Sequence, residues 1–161
     1  MKIHADTVIV GTGVAGLFAA LSLPRNLNIV MITKADLESS DSFLAQGGIC
    51  VLRDEEDYDS YFEDTMRAGH YENRRESVDI MIRGSRQIIR ELVGYGVEFA
   101  KDSNGGFAYT REGAHSRPRI LFHEDITGKE ITSHLLDQVR KLENVTLYEY
   151  CLLYTSPSPR D

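Results

Sequence analysis

Three short stretches of this sequence combine residue types whose spacing suits chemistry. The first is Gly11-Thr12-Gly13-Val14-Ala15-Gly16. Gly11 permits a tight turn, Gly13 lets a pyrophosphate come up against the backbone, and Gly16 lets a helix pack closely on a strand. The N–H groups that open such a helix, with its dipole, attract phosphate oxygens. The string alone is a weak signal and gains weight only between a strand and a helix. An acid should close the second strand and hold the ribose hydroxyls, yet Thr33-Lys34 stands there, and Asp36 and Glu38 come late. Lys34 is either a solvated strand-end charge or a cation lying over the ribose or phosphate of a cofactor.

The second stretch is Ser42-Phe43-Leu44-Ala45-Gln46-Gly47-Gly48-Ile49. Paired glycines let backbone amides reach a flat ring, and Gln46 offers both donor and acceptor. As an isolated string it is more often a plain surface turn. The third runs from Thr110 through Arg111, Glu112, Gly113, Ala114, His115, Ser116, Arg117 and Pro118 to Arg119, with His123 close behind. Arg forks match carboxylates and a Glu can pair with an ammonium, so this cluster suits a small charged substrate. An exposed network of ion pairs is an equally open reading. His4, His70 and His134 read as surface or packing residues, and no HxxH or CxxC spacing supports a metal site.

The elements that must position these residues follow from periodicity. Thr7 to Val10 is a β-branched run expected to be a strand buried on both faces. Leu17 to Leu23 reads as a helix ended at Pro24, and Asn28 to Thr33 as a second strand, which together make a βαβ unit. Ser39 to Gly48 reads as a loop. Tyr58, Tyr61, Phe62, Thr65 and Met66 mark one amphipathic helix. Val78, Met81, Ile82, Ser85, Ile88, Ile89 and Leu92 mark another, with Asn73 as its cap and Glu76 three residues on. Val97–Phe99 and Phe107–Tyr109 flank Asp102-Ser103-Asn104-Gly105-Gly106, a hairpin signal. Thr127-Gly128-Lys129-Glu130 opens a last helix bearing Ile131, Leu135, Val139 and Leu142, and Val145 to Tyr150 is a further strand.

Composition sets the bounds. The 161 residues suffice for one domain with a real core, and 42% hydrophobic with 27% charged residues is that of a globular protein. A net charge of −7 argues against general nucleic-acid affinity. Cys50 and Cys151, the two cysteines, are too sparse for a disulfide scaffold and point to a reducing, cytoplasmic setting. Neither a signal-peptide core nor a membrane span is expected. The tail from Tyr154 to Asp161 turns abruptly to Ser and Pro. A linker would read this way; the favoured expectation is an abnormal end from a truncated or misassembled reading frame, because a strand has only just begun.

From about Asp6 to about Tyr150 the sequence resembles the L-aspartate oxidases, flavoenzymes of the succinate dehydrogenase and fumarate reductase flavoprotein superfamily. The most specific parts are Phe43 to Ile49, Thr110 to Ser116, Arg119-Ile120-Leu121-Phe122-His123 and Asp125 to Glu130. The resemblance implies an α/β, Rossmann-like FAD-binding domain with a βαβ start, two central helices and a β-hairpin, incomplete as it stands. Residues 1–153 would be its N-terminal part and 154–161 an aberrant or disordered tail. Gly11 to Gly16 would hold the pyrophosphate, through Thr12, Gly13, Val14 and Ala15 above all, and Lys34 would contact the cofactor. Asp41, Ser42, Phe43, Leu44, Ala45, Gln46, Gly47 and Gly48 would line the flavin, and Glu112 would be the active-site acid that meets the substrate ammonium.

Two differences separate the relatives. Succinate dehydrogenases and fumarate reductases carry a flavin-linking histidine where this chain has Asp41, so FAD is expected to be noncovalent. They also tend to carry Gln where this chain has Glu112, and an acid there suits a substrate with an ammonium. The implied reaction is oxidation of L-aspartate to iminoaspartate, with oxygen or fumarate as acceptor, feeding quinolinate and NAD biosynthesis with a possible handover to quinolinate synthase. Later parts of the family's chain, a capping domain and a helical domain, are not in this sequence, so this chain alone is expected to turn nothing over and to bind FAD weakly. The alternatives are a fumarate reductase or succinate dehydrogenase type of flavoprotein, and a nonenzymatic nucleotide-binding fragment.

Overall fold

The computed structural model describes residues 2–153; the Ser/Pro tail lies outside the described residues. Along the chain run β1 (Thr7–Val10), α1 (Val14–Ser22), β2 (Ile29–Ile32), α2 (Asp41–Leu44), β3 (Ile49–Cys50), α3 (Tyr58–Ala68), α4 (Arg75–Gly94), β4 (Ile120–Leu121), α5 (Thr127–Val139) and β5 (Val145–Tyr148). The described residues divide into two compact units, 2–44 with 132–153, and 45–131. Among the described residues no helix is long and apolar enough to cross a membrane.

The first unit is built on a parallel sheet of order β1-β2-β5. The register runs Thr7↔Ile29↔Val145 through Val10↔Ile32↔Tyr148, so side chains two apart share a face. One face carries Ile9, Ile29 and Met31, the last two fully buried, and Leu17, Ala20 and Leu21 of α1 are buried at the i, i+3, i+4 spacing of a helix stripe. At the end of α1, Arg25 donates to the carbonyls of Ala20 and Leu21, which have no partner within the helix.

The other face of the sheet corrects an expectation. Val8 and Val10 are 57% and 62% exposed, so β1 is not buried on both sides. A sheet whose strands advance in one direction receives its same-handed crossovers on one face, and a β-branched run does not reveal which faces are covered.

In the second unit α3 and α4 pack around Leu52, Tyr61, Met66, Val78 and Ile82. Strands β3 and β4 pair antiparallel, Ile49↔Leu121 and Cys50↔Ile120. On its other side Ile120 meets Thr110 with two backbone bonds of 3.0 and 3.1 Å.

Local expectations change at three points. The Ser39–Gly48 stretch contains one helical turn, α2, because the Ser40 hydroxyl and carbonyl both receive the Phe43 N–H. Helix α4 is capped at Arg74 and not at Asn73, whose carboxamide packs on Gly69 with its oxygen buried and unpartnered among the described residues. The hairpin turn forms, with Gly105 at φ +82° and the Asp102 carboxylate accepting from the Asn104 and Gly106 N–H groups. Its arms are not regular strands: one bridge, Lys101↔Phe107, links them, and the Ala100 N–H goes to Phe122 instead.

Candidate functional site

Strand β1 hands the chain to α1 through Gly11-Thr12-Gly13. Gly11 bonds back to the Ile32 carbonyl at 2.8 Å and then turns at φ +98°, where glycine alone is unstrained. A Cβ at Gly16 would overlap the Gly11 carbonyl oxygen and press on Ile9, so the helix can enter this close only with glycine there. Gly13 is the N-cap residue of α1 and supplies no side-chain cap. The Val14 N–H is taken by the Ser42 hydroxyl at 3.2 Å, which places Ser42 at the N-terminal end of α1.

A cleft of about 550 Å³ opens here, and Thr12, Gly13, Lys34 and Asp41 line it together. Ser39, Ser40 and Cys151, which the sequence did not single out, share its wall. The Thr12 hydroxyl is the telling group: its residue is 2% exposed and its oxygen has no hydrogen-bond partner among the described residues. A buried, unsatisfied hydroxyl costs free energy unless a ligand completes it. Together with a helix start that Gly13 does not cap with a side chain of its own and the exposed Lys34, it fits the anionic pyrophosphate of a dinucleotide such as FAD.

In the second unit, Gln46 and Gly47 are exposed, and a Cβ at Gly47 would stand 3.7 Å from the Glu112 Oε2. The glycine pair and the acid, 65 residues apart in sequence, thus meet in space. Gly48 is different: a Cβ there would overlap the Leu121 carbonyl and the Ile120 side chain, so packing against β4 demands this glycine.

Residues 111–119 form a loop closed at its base by the Thr110–Ile120 pair. The structure divides its charges. Arg111, Glu112 and Arg117 are exposed, whereas Arg119 is wholly buried. Arg119 donates Nε and Nη2 to Asp57 at 3.0 and 2.8 Å, Nη1 to Asp64 at 2.7 Å, and Nη2 to the Ser60 hydroxyl at 2.9 Å. Tyr61 stacks beneath its guanidinium at 4.9 Å. The cluster is therefore neither wholly substrate-facing nor an exposed network; its last arginine is a buried anchor.

Burial by itself would raise the Asp64 carboxyl, but the Ser116 hydroxyl and N–H and the Arg119 guanidinium override it and bring it to about 2. Asp57 is likewise lowered, the cost of burial being overcome by Arg119 and Ser60. Arg119 also donates to His115 Nδ1 at 3.1 Å. A guanidinium cannot accept, so in the neutral ring the proton stands on Nε2, which faces Cys50 Sγ at 3.4 Å. Burial pushes the Cys50 thiol and the Tyr61 phenol up. These three residues line a second cavity of about 500 Å³, to which the candidate stretches contribute Gly48, Ile49, Ala114 and His115 but not Glu112. His123 is spent on the Glu98 carbonyl at 2.7 Å.

Asp57 and Asp64 were missed by sequence reasoning. A signal existed: Asp57, Tyr61 and Asp64 fall at i, i+4 and i+7, so two carboxylates share the stripe that buries Tyr61, and buried carboxylates need a cation.

A family model described as FAD binding domain matches residues 6–153. The chain is 46% identical over 151 residues to the L-aspartate oxidase of Clostridium perfringens, covering 94% of this chain and 34% of that protein. It is 42% identical over 149 residues to that of Clostridium acetobutylicum, covering 92% and 34%. Among solved structures, an E. coli quinol fumarate reductase FrdA superposes with a TM-score of 0.85 at 25% identity, covering 91% of this chain and 26% of that one. The chain spans about a third of the length of these two relatives.

Proposed function

The chain belongs to the FAD binding domain family, and on that premise we propose that it holds FAD for a flavin-dependent oxidoreductase that oxidises L-aspartate to iminoaspartate. The observation that carries the substrate reading is the Glu112 carboxylate beside Gly47. An exposed acid next to a glycine pair offers an ammonium a partner and leaves room for a flat group. The names of the relatives at 46% and 42% identity support the same substrate.

When bound, the flavin supplies a two-electron acceptor. The residues of this chain do the rest. The N–H groups that open α1 and the Thr12 hydroxyl bind the pyrophosphate, and Lys34 neutralises charge beside it. The stretch Asp41–Gly48 is assigned to the flavin by resemblance, with Asp41 forming no covalent link to it. Glu112 holds the substrate ammonium and so orients the Cα–H bond, a matter of positioning more than of proton transfer. Oxygen or fumarate as acceptor, a place in NAD biosynthesis with handover to quinolinate synthase, and a cytoplasmic setting belong to the same proposal.

The test is the full-length, FAD-loaded holoenzyme, since this stretch of chain alone is proposed to be inactive, mixed without oxygen with L-aspartate or with succinate, while the flavin absorbance is followed. Bleaching by L-aspartate, with the half-saturating concentration raised about tenfold or more by Glu112→Gln, is expected for a lost charge-assisted bond. Bleaching by succinate alone would favour a succinate dehydrogenase type of flavoprotein. A bound flavin that neither substrate bleaches would leave a nucleotide-binding module.

A further inference from the structure

Asp64 lies within α3, 3% exposed, and takes no part in the reaction proposed for this chain. Its Oδ2 accepts from the Ser116 N–H and the Ser116 hydroxyl, both at 2.6 Å, and from Arg119 Nη1 at 2.7 Å. Its Oδ1 accepts from Arg67 at 2.7 Å. A carboxylate withdrawn from water needs several charge-assisted bonds to replace its hydration, and three of these four come from the 111–119 loop. That loop is pinned at its base by Thr110 and Ile120, and at Ser116 by Asp64. Between the two pins the backbone turns at Ala114 (φ +69°), and the His115 N–H bonds to the Glu112 carbonyl at 3.3 Å. Glu112 therefore sits one turn from the Asp64 pin. Its own side chain is exposed and makes no ion pair among the described residues, so the backbone on either side sets where the carboxylate stands.

We infer that Asp64 is a positioning residue: through Ser116 it fixes the turn that holds Glu112 beside Gly47, and so tunes the affinity for the substrate ammonium without touching the substrate. This rests on the reading of Glu112 as the ammonium-binding acid. Ser116 is the point at which to perturb the clamp, because it is exposed and Ser116→Ala removes one hydroxyl while each hydrogen bond of Arg119 keeps both its partners.

The experiment measures aspartate kinetics of the FAD-loaded holoenzyme in four forms: unaltered, Ser116→Ala, Glu112→Gln, and both together. Amide hydrogen exchange over residues 112–116 is followed in the same forms. Ser116→Ala should raise the KM for aspartate about fivefold, less than the full worth of a hydrogen bond to a charged group because the Ser116 N–H keeps its bond to Asp64, with kcat changed less than about twofold and with Ser116→Thr restoring it. In the Glu112→Gln background the same change should do nothing more, because the residue being positioned is gone. Exchange at 112–116 should quicken in Ser116→Ala. An unchanged KM in Ser116→Ala, an equal rise in both backgrounds, or unchanged exchange each overturns the inference. Quickened exchange with a KM indifferent to Glu112→Gln would overturn the substrate reading instead and leave the clamp standing.

Discussion

Arg119 and Asp57 meet side-on, through bonds of 3.0 and 2.8 Å between side chains that are 0% and 2% exposed. They lie 62 residues apart, so this bidentate pair ties the loop before β4 to the start of α3. Removing one member of such a pair strands a charge in a site without water, which commonly costs about 3–5 kcal/mol. Arg119→Met should therefore lower the unfolding free energy by about that amount. Urea denaturation followed by far-ultraviolet dichroism measures it; a loss under about 1 kcal/mol would mean that water reaches the two carboxylates.

Acid should weaken the protein through the same network. Asp64 sits at about 2 in the folded state against 3.8 ordinarily, and Asp57 is lowered as well. A carboxyl whose folded pKa is depressed adds stability above its unfolded pKa and loses it as the pH falls through the folded one. Asp64 should thus contribute on the order of 2 kcal/mol at neutral pH, fading between about pH 4 and 2. The slope of unfolding free energy against pH in that window should flatten in Asp64→Asn, and an unchanged slope would remove Asp64 from the account.

At Thr12 stability and binding should part company. Its hydroxyl is buried and unpartnered among the described residues, so Thr12→Val removes an unsatisfied group and should leave the ligand-free protein as stable or up to about 1 kcal/mol more stable. The same change should weaken FAD binding about tenfold if the hydroxyl completes its bonding on a phosphate. Flavin fluorescence titration beside thermal melts separates the two effects; equal FAD affinity would remove Thr12 from the phosphate site.

Two glycines of the first loop should respond by different routes. Gly16→Ala drives a methyl into the Gly11 carbonyl, which is backbone and cannot step aside, so about 1–3 kcal/mol of stability should go with it. Gly13→Ala meets the Ser42 hydroxyl at 3.0 Å, a side chain that can swing away. Its melting temperature should change little, while the helix start loses the Ser42 contact and FAD affinity falls.

What could be read from the sequence was what neighbours in sequence decide. Gly11, Gly13 and Gly16 announce a turn whose positive φ and close Gly11–Gly16 approach lie within six residues, and the stripes of α3 and α4 follow from helical spacing. The pairing of β2 with β5 was not legible, since each strand is only a short apolar run and the choice of partner is made by the intervening chain. Asp57 and Asp64 looked like ordinary charges, and Arg119 like one more member of a substrate-binding or exposed cluster, because their burial depends on segments more than 50 residues apart. Asn73 misled for the converse reason: its type suits a cap, but Gly69 receives its carboxamide and the helix starts one residue later. Glu112 was singled out by resemblance, and spacing alone could not have brought it to Gly47.

Gly47 and Gly48 stand side by side, one open to its surroundings and the other pressed against the backbone of Leu121. A mutational scan that scores abundance separately from activity should therefore rank these neighbours on different axes. Substitutions at 48 would vanish from the soluble pool, while those at 47 would persist as well-folded protein and fail only when asked to work.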